Sequence, residues 1–211
     1  MIILGLNINH ADSSASILSN GVLIAAAEEE RFTRIKNWAG IPFNSISFCL
    51  KKLGISINDV DFITINKDQY SEIFNKLLFI LTNNPSLNLL KERYQNFRSA
   101  KSISKKLADF FEIDNSILSK KIKFVEHHLS HLASSFFISD FKNASLLSVD
   151  GFGDFKSCMW GYGENNVIKP NGKILFPHSL GMFYLSITQF LGFNNYGEEY
   201  KVMGLSSYGA P

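Results

Sequence analysis

Residues 2–27 read IILGLNINHADSSASILSNGVLIAAA, and the rhythm of that run decides the fold class. Ile2 to Ile8 is a short apolar run, Ser14 to Leu18 alternates, and Val22 to Ala27 is apolar again. Runs of this length and period are strands. Ser19-Asn20-Gly21 is the turn between the second and third, since asparagine and glycine accept the backbone that a tight hairpin demands. Asn44 to Leu53 then switches to helical spacing with Gly54 as its stop, and Val60 to Ile65 is another strand. Strand, strand, strand, helix, strand is the opening of an α/β layer fold of the ribonuclease-H type.

The same order returns later. Ala144 to Val149 is an apolar strand ending in Asp150-Gly151-Phe152-Gly153-Asp154. Ser157 to Tyr162 is a second strand, Gly163 to Asn166 a turn, Val167 to Lys169 the start of a third, and Leu180 to Leu191 a helix. This doubling predicts a duplicated ribonuclease-H-like α/β fold, built as the actin, hexokinase and Hsp70 ATPases are. The first lobe is expected over residues 1–140, and 141–211 as the start of a second, incomplete lobe. Residues 67–118 differ in character, being rich in Asn, Ser and Lys. Their apolar residues fall at helical intervals (Ile73, Leu77, Leu78, Leu81; Ile103, Leu107, Phe110, Phe111), which predicts a helical insertion with Pro85 between two of its helices. Ile122 to Val125 reads as a strand and Leu129 to Phe137 as a helix. The last residues, Ser206 to Pro211, read as a loop, and the chain is expected to be a fragment.

Composition narrows the setting. A hydrophobic share of 45% in 211 residues is enough for a core, and a net charge of +2 demands neither nucleic acid nor an anionic membrane as partner. The lysines between Lys91 and Lys123 alternate with serines and apolar residues, as on a solvated helical face, so an RNA-binding surface is the weaker reading. Cys49 and Cys158 sit in apolar runs without a CxxC pair and read as buried thiols of a reducing compartment. The start lacks a basic leader and no run of about 18 apolar residues occurs, so a cytoplasmic protein without a membrane span is expected.

Three segments could carry chemistry. In Glu126-His127-His128-Leu129-Ser130-His131, His127 and His131 stand at i and i+4, the spacing that lets two imidazoles on one helical face share a cation. A polar helix start is the alternative. Asp150 to Asp154 puts a carboxylate at a strand end beside glycines that let backbone N–H groups approach phosphate oxygens, or it is an ordinary hairpin. His10-Ala11-Asp12-Ser13-Ser14 fills the matching turn of the first copy, where His10 could move a proton or bind an oxyanion. In a duplicated cleft these two turns are expected to face each other. Glu28 to Lys36 (EEERFTRIK) reads as a solvated edge, and Asn194 to Gly209 as a loop that is either structural or nucleotide-handling.

Taken together, NINHADSSASIL (7–18), AAAEEERFTRIKN (25–37), VEHHLSHLASSFF (125–137), SVDGFGD (148–154), SLGMFYLSITQFLGF (179–193) and GEEYKVMGLSSYG (197–209) resemble the carbamoyltransferases of nodulation-factor, novobiocin, cephamycin and tobramycin biosynthesis. The resemblance implies that His127, His131 and Asp150 bind a divalent metal, iron. It implies that the Gly151-Phe152-Gly153 turn approaches the phosphates of ATP or of carbamoyl-adenylate, and that Glu198, Glu199 and Lys201 form a nucleotide loop. His10 and Asp12 match the first loop near the acceptor, and Lys36 the basic residue after ERFTR. The implied reaction takes carbamoyl phosphate and ATP through carbamoyl-adenylate to a hydroxyl or amine of a small molecule. In the family a further metal-binding aspartate and a carboxy-terminal domain lie beyond residue 211, so the 211 residues alone are expected to be inactive. The rival expectation is a non-catalytic nucleotide-binding or interaction fragment.

Overall fold

The computed structural model describes residues 1–88, 91, 102–195 and 197–210. The chain forms two compact units, Met1–Glu126 and His127–Pro211.

In the first unit, β1 (Ile2–Asn7), β2 (Ser14–Ser19), β3 (Val22–Glu28), β4 (Phe62–Ile65) and β5 (Ile122–Phe124) make one sheet in the order β3-β2-β1-β4-β5. The first three strands are antiparallel, with Ile2 opposite Ser19 and Asn7 opposite Ser14, while β4 and β5 run parallel to β1. That order and those directions are the ribonuclease-H-like arrangement which the sequence predicts. The turn at Asn20 and Gly21 has φ of 51° and 83°, as its residue types require. Alternation does the rest: Leu4, Leu6, Ala15, Ile17, Ile63 and Ile65 point into one core.

Helix α1 (Glu30–Thr33) is a single turn, and α2 (Phe43–Leu53) lies on β2 and β3 with Ile46, Cys49 and Leu50 inward. The left-handed Gly54 (φ 68°) ends α2, its N–H reaching the carbonyls of Leu50 and Lys51. The Cys49 thiol sits 3.6 Å from the Ala15 carbonyl, and burial pushes its pKa up to about 11, so it is an inert core group. The insertion between β4 and β5 is helical where described: α3 (Ile73–Asn83), α4 (Ile103–Phe111) and α5 (Asn115–Lys121). Only α4 and α5 of these bury side chains in the core, through Ile103, Leu107, Ala108 and Leu118. Part of the lysine-rich stretch between Lys91 and Lys123 lies outside the described residues.

In the second unit, helix α6 (His127–Phe136) covers one face of an antiparallel sheet of β6 (Asn143–Gly153), β7 (Lys156–Glu164) and β8 (Val167–Leu175). Leu132 and Phe136 pack on Leu146 and Met159, and this docking groups the helix with the second unit; the lobe boundary drawn at 140 in the sequence follows it by about one helix. Strand β6 runs past Val149 to Gly153, although its ladder with β7 skips Asp150, Gly151 and Phe152. Helices α7 (Leu180–Phe190) and α8 (Glu199–Ser206) follow. The last of these corrects the reading of 194–209 as a loop. Glu199, Lys201, Met203 and Leu205 are good helix formers, and Gly204, one of the three glycines of that segment, is carried within the helix at a cost of about 1 kcal/mol. Among the described residues no helix is long and apolar enough to cross a membrane.

Candidate metal centre

Helix α6 starts at His127, so His127 and His131 lie one turn apart on the same face. The i,i+4 spacing brings their rings to 4.6 Å between centroids and their Nε2 atoms to 3.0 Å. Asp150, where β6 leaves its ladder, points its Oδ2 at the same place, 2.7 Å from His127 Nε2 and 3.5 Å from His131 Nε2. Three ligand-type atoms therefore form a triangle with sides of 2.7, 3.0 and 3.5 Å. Two atoms each about 2.1 Å from one cation, and about 90–110° apart around it, stand roughly 3.0–3.4 Å from each other. The His127–His131 side matches that separation, and the two sides to Asp150 fall about 0.3 Å short of it and 0.1 Å beyond it, so shifts of a few tenths of an ångström would seat a cation among the three atoms.

Hydrogens alone serve it poorly. If His127 Nε2–H donates to Asp150, that nitrogen has no lone pair for His131, yet the two nitrogens are in contact. The Asp150 carboxyl is held well below the usual carboxylate range, first by the hydrogen bond from His127, then by that from His131, against the opposing effect of burial. An ionised carboxylate and two imidazoles are the oxygen and nitrogen donors that divalent iron or zinc accepts. His128 takes no part: it is fully buried, with Nδ1 2.8 Å from the Ser148 hydroxyl.

The surrounding residues hold this geometry. A β-carbon at Gly153 would stand 2.0 Å from Cδ2 of His127, so only glycine admits that ring. Asp154 accepts the His127 backbone N–H on Oδ2 at 2.9 Å. Ser179 caps α7 by accepting the Met182 N–H, and its hydroxyl lies 2.8 Å from the Gly151 carbonyl and 3.2 Å from that of Asp150. Gly181 lets the first turn of α7 sit on the Asp150–Gly151 peptide, where a β-carbon would meet Gly151 N at 2.7 Å. Sequence reasoning named Asp154, Ser179 and Gly181 only as members of longer motifs. Ser179 was findable, because a serine directly before an apolar helical run is an N-cap signal.

The other sequence-derived residues fall into separate groups. His10 and Asp12 share the exposed loop after β1, with His10 Nδ1 3.2 Å from the Ala11 carbonyl and Asp12 at φ 61°. Fully buried Ser13 pins that loop: its hydroxyl is within donating distance of the His10 and Gly40 carbonyls and accepts from Gly40 N. Lys36 is exposed on the segment after α1. Glu198 accepts the N–H and the side-chain amide of Asn195 and pairs with Lys201, whose ammonium lies 5.4 Å from the Phe193 ring centre. Glu199 contributes its carbonyl, which accepts from the Tyr184 hydroxyl at 3.0 Å. Phe152 packs its ring on Phe176 at 5.0 Å.

One expectation is overturned inside EEERFTRIK. Glu29 is not on a solvated edge but 2% exposed. Its Oε1 accepts from the backbone and side-chain nitrogens of Asn44, and its Oε2 from the backbone and hydroxyl of Ser45, so it caps α2 from a distant position in the chain. A charge run shows nothing in sequence of which member turns inward.

A family model described as "Carbamoyltransferase N-terminus" matches residues 2–211, and the chain belongs to that family. Among its relatives, the uncharacterized protein sll1178 of Synechocystis is 36% identical over 99% of this chain and 35% of its own length. Nodulation protein NolNO of Sinorhizobium fredii is 35% identical over 95% of this chain and 28% of its own. The chain thus spans about a third of the length of these relatives. Among solved structures, the activator of the 2-hydroxyisocaproyl-CoA dehydratase from Clostridium difficile with bound ADPNP is similar over all of this chain and 67% of its own, at 15% identity and a TM-score of 0.40.

Proposed function

We propose that this chain is the metal- and nucleotide-binding part of a carbamoyltransferase, which moves a carbamoyl group from carbamoyl phosphate to a hydroxyl or amine of a small molecule at the expense of ATP. The observation that carries the reading is the convergence of His127 Nε2, His131 Nε2 and Asp150 Oδ2 in a chain of the carbamoyltransferase family. A divalent cation held there, iron in this reading, would neutralise phosphate charge and polarise an anhydride carbonyl.

The chain's own residues divide the remaining work. The backbone at Gly151, Phe152 and Gly153, where the β6–β7 ladder is interrupted, lies against ATP phosphates; Glu198, Glu199 and Lys201 handle the nucleotide. His10 and Asp12 serve the acceptor. With Nδ1–H donated to the Ala11 carbonyl, His10 Nε2 carries the lone pair that takes the acceptor's proton. Lys36 offers a cation to the leaving pyrophosphate. Water cleaves carbamoyl phosphate to carbamate and inorganic phosphate, and a carbamate oxygen then displaces pyrophosphate from the α-phosphorus of ATP to give carbamoyl-adenylate. The acceptor oxygen or nitrogen then attacks the carbonyl of carbamoyl-adenylate, and the C–O bond to AMP breaks.

In this reading a carboxy-terminal domain supplies the carbamoyl phosphate chemistry, so the 211 residues alone transfer nothing. Both co-substrates are cytoplasmic metabolites, and the reaction belongs there. Intact-mass analysis of acceptors incubated with carbamoyl phosphate, ATP and the whole protein tests the reading. A gain of one carbamoyl group that disappears with Asp150→Asn is expected, and transfer unaffected by Asp150→Asn contradicts it.

A further inference from the structure

The five-residue segment Asp150–Asp154, from the end of β6 into its hairpin turn, contributes more to the candidate metal centre than a ligand. Its first residue supplies Oδ2, its fourth makes room for the His127 ring, and its fifth binds the His127 backbone. We propose that Asp154 is a positioning residue for the cation: it fixes His127 Nε2 by capping helix α6 from the β6–β7 hairpin. This inference rests on the reading of His127, His131 and Asp150 as a cation site.

Three observations support it. The first turn of a helix leaves backbone N–H groups without intrahelical partners, and the one on His127 is taken by Asp154 Oδ2 at 2.9 Å across 27 residues of sequence. A carboxylate at that end also suits the helix dipole. Because the captured N–H belongs to the ligand residue itself, the bond fixes the Cα from which the imidazole projects, and the gap at Gly153 fixes the ring. A shift of the helix start by a few tenths of an ångström would move Nε2 relative to Asp150 Oδ2 directly.

The turn that carries Asp154 is also held in a costly conformation. Gly153 pairs with Lys156, so Asp154 and Phe155 form a two-residue hairpin turn with φ of 49° and 72°. Such turns favour Asn or Asp followed by Gly, and a phenylalanine in the left-handed region is an outlier that the surroundings must enforce. Here the Phe155 ring lies 5.5 Å from that of Phe176, and the Phe155 carbonyl accepts the Phe176 N–H at 3.0 Å. Strain of this kind collects where a side chain has to be aimed, and the side chain aimed here is Asp154.

Titration of the purified protein with Co²⁺ alone, followed by its visible absorption, tests the inference with no turnover involved. Outer partners of metal ligands typically contribute about 10–100-fold in affinity. Asp154→Ala is expected to weaken Co²⁺ binding by about that factor and to alter the ligand-field spectrum. Asp154→Asn, which still accepts the His127 N–H, should stay within a few-fold of the parent. Met159→Ala, which thins the core under α6, should lower the thermal midpoint and leave the affinity unchanged, separating positioning from general stability. If Asp154→Ala does not fold, Asp154→Ser carries the same expectation, since its shorter side chain cannot reach the N–H. Parent-like affinity and spectrum in Asp154→Ala or Asp154→Ser overturn the positioning role alone. No Co²⁺ binding by the parent overturns the cation site itself.

Discussion

Gly153 and His127 are in contact so close that a single methyl group cannot be placed between them: a β-carbon at 153 would lie 2.0 Å from the imidazole Cδ2 and 2.6 Å from Nε2. The ring crowded carries Nε2, a ligand atom of the candidate cation, and the backbone around it is pinned by Asp154 and, through Asp150, by Ser179. Gly153→Ala is therefore expected to displace the His127 ring rather than to be absorbed. Urea denaturation should show a loss of about 1–3 kcal/mol, the usual cost of overpacking, and cation binding should fall with it. Parent-like stability and binding would show that the turn yields.

Glu29 makes the second prediction. Four donors from Asn44 and Ser45 converge on a carboxylate that is 2% exposed. Glu29→Ala removes the cap of α2 and leaves buried donors unsatisfied, which should cost about 2–4 kcal/mol. Glu29→Gln keeps one acceptor oxygen but turns an NH₂ group toward two donors, so it should recover less than half of that loss. Chemical denaturation of the three proteins checks the order, and a Gln variant as stable as the parent contradicts it.

The pair Glu198–Lys201 gives a pH prediction. The hydrogen bond from the Asn195 side chain, then that from Lys201, pushes the Glu198 pKa down to about 2, below its ordinary value of 4.5. A depressed carboxyl contributes stability that is fully present above about pH 4.5 and is lost as pH falls toward about 2. Asp150, Asp59 and Asp114 are shifted the same way and add to the acid limb. The part due to Glu198 is the difference between the parent and Glu198→Gln. Thermal midpoints should converge as pH falls through that window and differ above it. A constant difference across the window would contradict the shift.

Much of this was legible in the sequence, for identifiable reasons. Strands β1 and β2 announce themselves because one face is buried and the other is not, which writes period two into Leu4-Gly5-Leu6 and Ala15-Ser16-Ile17. The His127–His131 pair was readable because helical spacing fixes which side chains meet. That the Asp150 carboxylate would join the pair was suggested by its place at a strand end and by the resemblance, but the 2.7 Å approach to His127 depends on a hairpin folding back on a helix, which no local pattern records. Glu29, Asp154 and Gly181 stayed hidden for the same reason. Each acts on a partner far along the chain, and nothing in its neighbours distinguishes a carboxylate that turns inward, or a glycine spent on packing, from one at the surface. Helix α8 was missed because the acidic, basic and glycine residues of 194–209 read together as a loop, which hid the good helix formers among them.

The most direct test is anomalous diffraction at the iron edge from crystals grown with Fe²⁺ in the absence of oxygen. The account predicts one peak in the second unit, about 2.0–2.2 Å from His127 Nε2, His131 Nε2 and Asp150 Oδ2, absent in crystals of His131→Ala. A map with no iron at that point, while His127 and Asp150 remain in direct contact at 2.7 Å, would contradict the cation site on which the proposed function stands.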